Sequence, residues 1–127
     1  SFYSTLNNVE HNVLLSQLVI PLCSHHTFFR KLSNSNSRST IWSIFSEREL
    51  TYDLQERINE FEVLTSQSLQ YCLINDWVRL EPNKLNVSVG QGTEMSFVIQ
   101  KSAARLGVVF SNLSVVEIYA FLGVSPR

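Results

Sequence analysis

Residues 65–89 read Thr-Ser-Gln-Ser-Leu-Gln-Tyr-Cys-Leu-Ile-Asn-Asp-Trp-Val-Arg-Leu-Glu-Pro-Asn-Lys-Leu-Asn-Val-Ser-Val, and the change of period inside them decides the fold. Up to Asp76 the apolar residues Leu69, Cys72 and Leu73 recur at helical spacing, with Thr65 as the expected cap. From Trp77 the pattern alternates. Trp77 to Glu81 and Lys84 to Val89 are two short strand-like runs, joined by the turn formers Pro82 and Asn83. This predicts a β-hairpin directly after a helix.

Upstream, Ser46-Glu47-Arg48-Glu49 fits a capping box, with Ser46 capping a free N–H and Glu49 reaching back. It predicts a helix of about 15 residues with Leu50, Leu54, Ile58 and Phe61 on one face. Helix, helix, hairpin is the shape of a winged helix-turn-helix. Further out, Val9, Val13, Leu14 and Leu18 predict a helix over 7–20, after which Pro21 either starts a second short helix or kinks the first. Ile41 to Phe45 is a short helical piece anchored by Trp42. Downstream of the Gly90-Gln91-Gly92 loop, Met95, Val98, Ile99, Ser102, Leu106, Val109 and Phe110 form a helical stripe. A second capping box, Ser114 to Glu117, opens a last helix that ends at Gly123. The expected fold is mainly α with a small β-hairpin: a winged helix-turn-helix-like core plus two C-terminal helices. It is a single domain over 1–127, with N-terminal helices in 7–45, the winged-helix-like part in 46–89 and C-terminal helices in 94–123.

Composition bounds the rest. A chain of 127 residues with 44 % hydrophobic side chains is one domain with a sizeable core. Charged residues are 17 % and the formal net charge is −1. That balance gives no long-range attraction to nucleic acid, and too few charges to cover the outside suggests that a partner covers some of it. Cys23 and Cys72 each sit in an apolar run and read as reduced core thiols. No basic region followed by an apolar run opens the chain. The longest apolar run, Leu18 to Cys23, is far short of the roughly 20 residues of a membrane span. A soluble, cytoplasmic protein without membrane contact is expected.

Chemistry is sparse. Cys23-Ser24-His25-His26 lacks a second pair at zinc spacing, and reads as a helix end whose histidines sit near a C-terminal dipole. Glu49, Asp53, Glu56 and Glu60 follow a solvated helix face interleaved with Arg48 and Arg57. No phosphate loop, G-x-S-x-G or H-E-x-x-H is present, so no catalytic residue, cofactor or metal is expected. The helix that would enter a DNA groove, Thr65 to Asp76, has no Lys or Arg. Only Arg79 and Lys84 on the hairpin offer a weak DNA contact. The last helix carries the candidate partner surface: Val115, Ile118, Tyr119, Phe121 and Leu122, more apolar side chains than one core-facing stripe absorbs. Burial of that helix against the domain's own N-terminal helix is the alternative.

Four stretches carry a family resemblance. Ala104-Arg105-Leu106-Gly107-Val108-Val109-Phe110 and Ile118-Tyr119-Ala120-Phe121-Leu122-Gly123-Val124-Ser125-Pro126 resemble the closing helices of the middle components of bacterial three-component ABC systems. Leu18-Val19-Ile20-Pro21-Leu22 resembles an "L-V-L-P-L" element of that family, and Arg38-Ser39-Thr40-Ile41-Trp42 an "R-T-x-L-x-x-W" element. Val109 departs from the Trp often found there, and residues 1–8 match poorly. The resemblance implies a non-catalytic accessory or adaptor subunit in a hetero-oligomer. Its partners would be an SMC-like ABC ATPase and an effector, often a nuclease, in Lamassu-type anti-phage or anti-plasmid defence. DNA would be met only weakly or through the complex. The alternatives are a DNA-binding winged-helix transcriptional regulator and an enzyme subunit with a shared active site.

Overall fold

A computed structural model describes residues 2–36, 38–89 and 98–126, with the backbone alone at 98–100. The described chain is mainly helical, with one antiparallel hairpin. Its elements are α1 (Phe2–Thr5), a 3₁₀ turn (Asn12–Leu15), α2 (Ser16–Cys23), α3 (His26–Ser33) and α4 (Ile41–Phe45). There follow α5 (Arg48–Thr51), α6 (Leu54–Glu60), α7 (Glu62–Ile74), β1 (Val78–Glu81), β2 (Asn86–Val89), α8 (Val98–Phe110) and α9 (Val115–Leu122).

The core gathers side chains from nearly the whole length of the chain. Leu15, Leu18, Leu22, Phe28, Leu32, Phe45, Leu54, Ile58, Leu106, Phe110, Ile118 and Leu122 are all fully buried. A line of rings threads through it: Phe2 meets Phe110 edge-on at 6.2 Å, Phe110 meets Phe45 at 6.1 Å, and Phe45 meets Phe28 at 4.9 Å. Offset and edge-to-face pairs of this kind add stability beyond the area they bury.

The first residues are stitched to α8. Thr5 Oγ1 donates to the Ala104 carbonyl at 2.5 Å. Ser111 Oγ donates to the carbonyls of Gly107 and Thr5 and accepts from Asn7 N–H. Gly107 permits the approach, since a Cβ there would run into Thr5 Oγ1 and the Phe2 carbonyl. Residues 7–11 are not helical, against the helix expected over 7–20. Asn8 and His11 adopt positive φ, and the helical backbone starts only at Asn12.

Four further local expectations give way. Pro21 does not start a second helix; it lies inside α2, two residues before the end. Its carbonyl takes hydrogen bonds from the Arg57 guanidinium, which also bonds Ser24 Oγ at 2.9 Å, a cation at a helix C-terminus. Ser46 does not open a long helix. The segment splits into α5 and α6, and the capping box is at Thr40 and Ser43 on α4, where each side chain accepts from the other's backbone N–H. Ser and Thr satisfy both orphan donors there as Glu would elsewhere. Ile44 and Phe45, not the exposed Trp42, anchor α4. Thr65 lies inside α7 rather than at its start, buried with no hydrogen-bond partner for Oγ1 among the described residues.

The hairpin forms where the alternation predicts it. Val78 pairs with Val89, Arg79 with Ser88, Leu80 with Val87 and Glu81 with Asn86. Asn12 fastens it to the rest of the fold: its Oδ1 accepts from Val87 N–H and its Nδ2 donates to the Val87 carbonyl. Val13 N–H donates to Leu85 O at 2.9 Å. The Gly90-Gln91-Gly92 loop and Met95 lie outside the described residues.

Candidate interaction surface

The C-terminal helix folds inward. Ser114 caps α9 by accepting from Glu117 N–H at 3.0 Å, and Gly123 ends it at φ 72°, a left-handed conformation that suits glycine. Val115, Ile118, Tyr119 and Leu122 are buried in the chain's own core. Tyr119 Oη donates to the Leu14 carbonyl at 2.6 Å, and burial raises its phenol pKa well above the usual range. Of the five residues expected to meet a partner, only Phe121 stays half-buried at the surface. The Arg48 guanidinium lies over its ring at 5.6 Å and donates to its carbonyl at 2.7 Å, and Trp42 meets it edge-on at 6.0 Å. For the other four, the intramolecular alternative is where the structure puts them.

Most of the exposed large apolar side chains lie on α7 and the hairpin, with Trp42, Tyr52, Val108 and Val116 exposed elsewhere. Val63, Leu64, Tyr71 and Ile74 of α7 are exposed, Ile74 to 81 %, and Thr65 is the one buried residue of that helix. Positions 63, 67, 71 and 74 share one helical face. Trp77, Leu80, Leu85 and Val89 continue the exposed apolar set onto the hairpin, and the Tyr71 and Trp77 rings pack edge to face at 5.4 Å. The winged-helix pattern raises DNA binding for this helix, and its lack of basic residues argues against it. What it presents is apolar side chains that the described chain leaves uncovered.

Arg79 and Lys84, the candidate DNA contacts, are both exposed on the same hairpin. Lys84 sits 3.8 Å from Glu81, and Arg79 forms no ion pair among the described residues. α7 itself carries Glu62 and no basic residue.

The Cys23–His26 segment separates rather than converging. The Cys23 thiol is buried, and desolvation pushes its pKa up to about 11. His25 follows the C-cap of α2, its N–H donating to the Leu22 carbonyl, and it also opens the next helix. It caps the start of α3, accepting from Phe28 N–H, and stacks on the Phe28 ring at 4.6 Å. Desolvation first, and then the Arg57 charge, lower its pKa. His26 turns away to Arg30 at 2.8 Å. Among the described residues no three His, Cys, Asp or Glu side chains come together as a metal site requires. Cys23 and Cys72 are both free thiols. No single described helix is long and apolar enough to cross a membrane.

These features define a small, mainly helical chain whose most distinctive surface is apolar rather than charged. The family model for the ABC-three component (ABC-3C) system Middle Component 3 matches residues 1–126, and the chain belongs to that family. No curated protein and no solved structure matches it. The protein is thus a middle component of a three-component ABC system, and membership in such a system implies partner subunits.

Proposed function

We propose that this middle component is a non-catalytic adaptor in a cytoplasmic complex, joining an SMC-like ABC ATPase to an effector subunit in Lamassu-type anti-phage or anti-plasmid defence. The observation that carries the reading is the uncovered apolar surface of α7 and the hairpin, on a chain that belongs to a multi-subunit system. In this reading α6, α7 and the hairpin serve as a winged-helix-like scaffold turned to protein contacts. A groove-reading helix needs basic residues to hold it near phosphates, and α7 brings none.

The test is co-expression with the other two components of its three-component system. The chain should co-purify with both. Alone it should neither hydrolyse ATP nor cleave DNA, and should bind duplex DNA no more tightly than about micromolar at physiological salt. Sub-micromolar duplex binding by the isolated chain would instead support a winged-helix regulator. ATP turnover abolished by a point change in this chain would make it an enzyme.

A further inference from the structure

The two edges of the hairpin are not equivalent. The outer edge of β2 is occupied by the chain itself, through Asn12 on Val87 and Val13 on Leu85. Because Val87 spends both its N–H and its C=O on Asn12, these groups point away from β1. Leu80 and Val87 are therefore a non-hydrogen-bonded pair of the antiparallel ladder. By the two-residue repeat, Val78 and Val89 are another. In such pairs the opposite strand also turns its polar groups outward, so the N–H and C=O of Val78 and Leu80 face away from β2. Among the described residues nothing hydrogen-bonds them. A free edge of this kind is a template for one more strand. A helix laid on the apolar face would leave these groups unused, whereas an extended segment satisfies them.

The side chains state what that segment should look like. Val78 and Leu80 share one face of the sheet with Val87 and Val89, the apolar face, and Arg79 projects from the other with Ser88 opposite it on β2. Arg79 lacks an acidic partner among the described residues. Opposite charges facing each other across neighbouring strands are stabilising.

We propose that a partner subunit of the three-component system adds an extended segment to the free edge of β1, completing a three-stranded sheet. Apolar residues of that segment lie beside Val78 and Leu80, and an acidic residue lies opposite Arg79. A two-stranded ribbon is marginal alone, and a third strand stabilises it. The inference rests on the adaptor reading and names where and how that adaptor is engaged.

Hydrogen–deuterium exchange on the chain alone, and on the complex co-purified with the other two components of its system, tests this. In the complex the Val78 and Leu80 amides should exchange at least about tenfold more slowly than in the isolated chain. Leu80→Pro removes only the outward N–H and leaves the β1–β2 ladder intact; it should weaken capture by about tenfold or more. Leu80→Thr keeps the amide and should stay within about threefold of the parent. Should Leu80→Pro disturb the hairpin, Arg79→Glu leaves the main chain untouched and should also weaken capture. If the complex forms but the two amides exchange as fast as in the isolated chain, strand addition is wrong and the adaptor reading stands. If no complex forms, the adaptor reading falls and takes this inference with it. Protection that grows with concentration of the chain alone would assign the edge to a second copy. Protection by a short DNA duplex alone would assign it to nucleic acid. Either result overturns the proposal.

Discussion

Two apolar regions of this chain meet opposite fates. α9 is the more uniformly apolar in sequence, yet Val115, Ile118, Tyr119 and Leu122 are buried in its own core. α7 is more polar, with Ser, Gln and Thr through its first half, yet it leaves Val63, Leu64, Tyr71 and Ile74 in solvent. The difference lies in what stands nearby. α9 is flanked by a helix cap and a glycine stop that fold it back onto the 3₁₀ turn, where Leu14 receives the Tyr119 hydroxyl. α7 divides its apolar residues between two faces: Leu69, Cys72 and Leu73 are half-buried, while Val63, Tyr71 and Ile74 lie on a face that the described chain leaves uncovered. Apolar density in a sequence therefore does not by itself locate a binding surface; the arrangement of neighbours decides which residues remain uncovered.

The comparison can be broken most forcefully at matched positions. Ile118→Asp places an unpaired carboxylate in a site with no exposure. It should cost about 4 kcal/mol or more, enough to unfold the chain. Ile74→Asp on α7 should change stability by no more than about 0.5 kcal/mol. Urea unfolding followed by circular dichroism reads both. Similar losses at the two sites would mean that α7 is packed as α9 is.

Gly107→Ala should come next. The added methyl meets the Phe2 carbonyl and Thr5, so α1 has to shift off α8. A loss of about 1–3 kcal/mol is expected, against the small gain a Gly→Ala change brings at an unobstructed helical site. Asn12→Ala should follow, at about 1–3 kcal/mol, because it leaves the Val87 N–H and C=O without partners. Faster amide exchange in the hairpin, with α8 unaffected, distinguishes this loss from general destabilisation.

The smallest effect is a pH dependence. His25 is neutral when it caps α3, and burial with the Arg57 charge lowers its pKa below the unfolded value. The unfolded chain therefore binds the proton more readily. The stability His25 contributes is present above the unfolded pKa of about 6.5 and is lost as pH falls through the folded value. Unfolding midpoints should decline slightly from about pH 7.5 to 5.5, and His25→Asn, which retains a cap, should flatten that slope. An equal slope in the variant would assign the effect to other groups.

Much of the fold was legible in the sequence because its signals are local. The hairpin followed from strict alternation around Pro82-Asn83, and α9 from Ser114 and Gly123. The family stretches also make structural sense: Leu18 and Leu22 are core, Thr40 caps α4, and Gly107 is where α1 presses on α8. What stayed hidden depends on contacts far apart in sequence. The break before Asn12 reflects the demand of Asn12 on the hairpin, 75 residues away at Val87. Ser46 looks like a cap by spacing alone, but α5 starts after Glu47 without a side-chain cap, and the capping box forms at Thr40–Ser43 on α4. The candidate surface was missed for the same reason: the Thr65–Asp76 helix was judged by its lack of charge, and no periodicity signalled that its apolar side chains would stay uncovered. The exposed Tyr71, Ile74 and Trp77 were present in the sequence as apolar residues outside the main stripe, the one available hint.

The account centres on the claim that α7 and the hairpin, not the C-terminal helix, face the partner. Ile74 and Val116 are a fair pair for testing it, exposed to 81 % and 77 % on α7 and α9 respectively. Each is changed to Asp in the full chain, checked for an unchanged unfolding midpoint, and used to capture the other two components of its system. The account predicts that Ile74→Asp weakens capture by about tenfold or more while Val116→Asp captures as the parent does. Full capture by a folded Ile74→Asp, or loss confined to Val116→Asp, would contradict it.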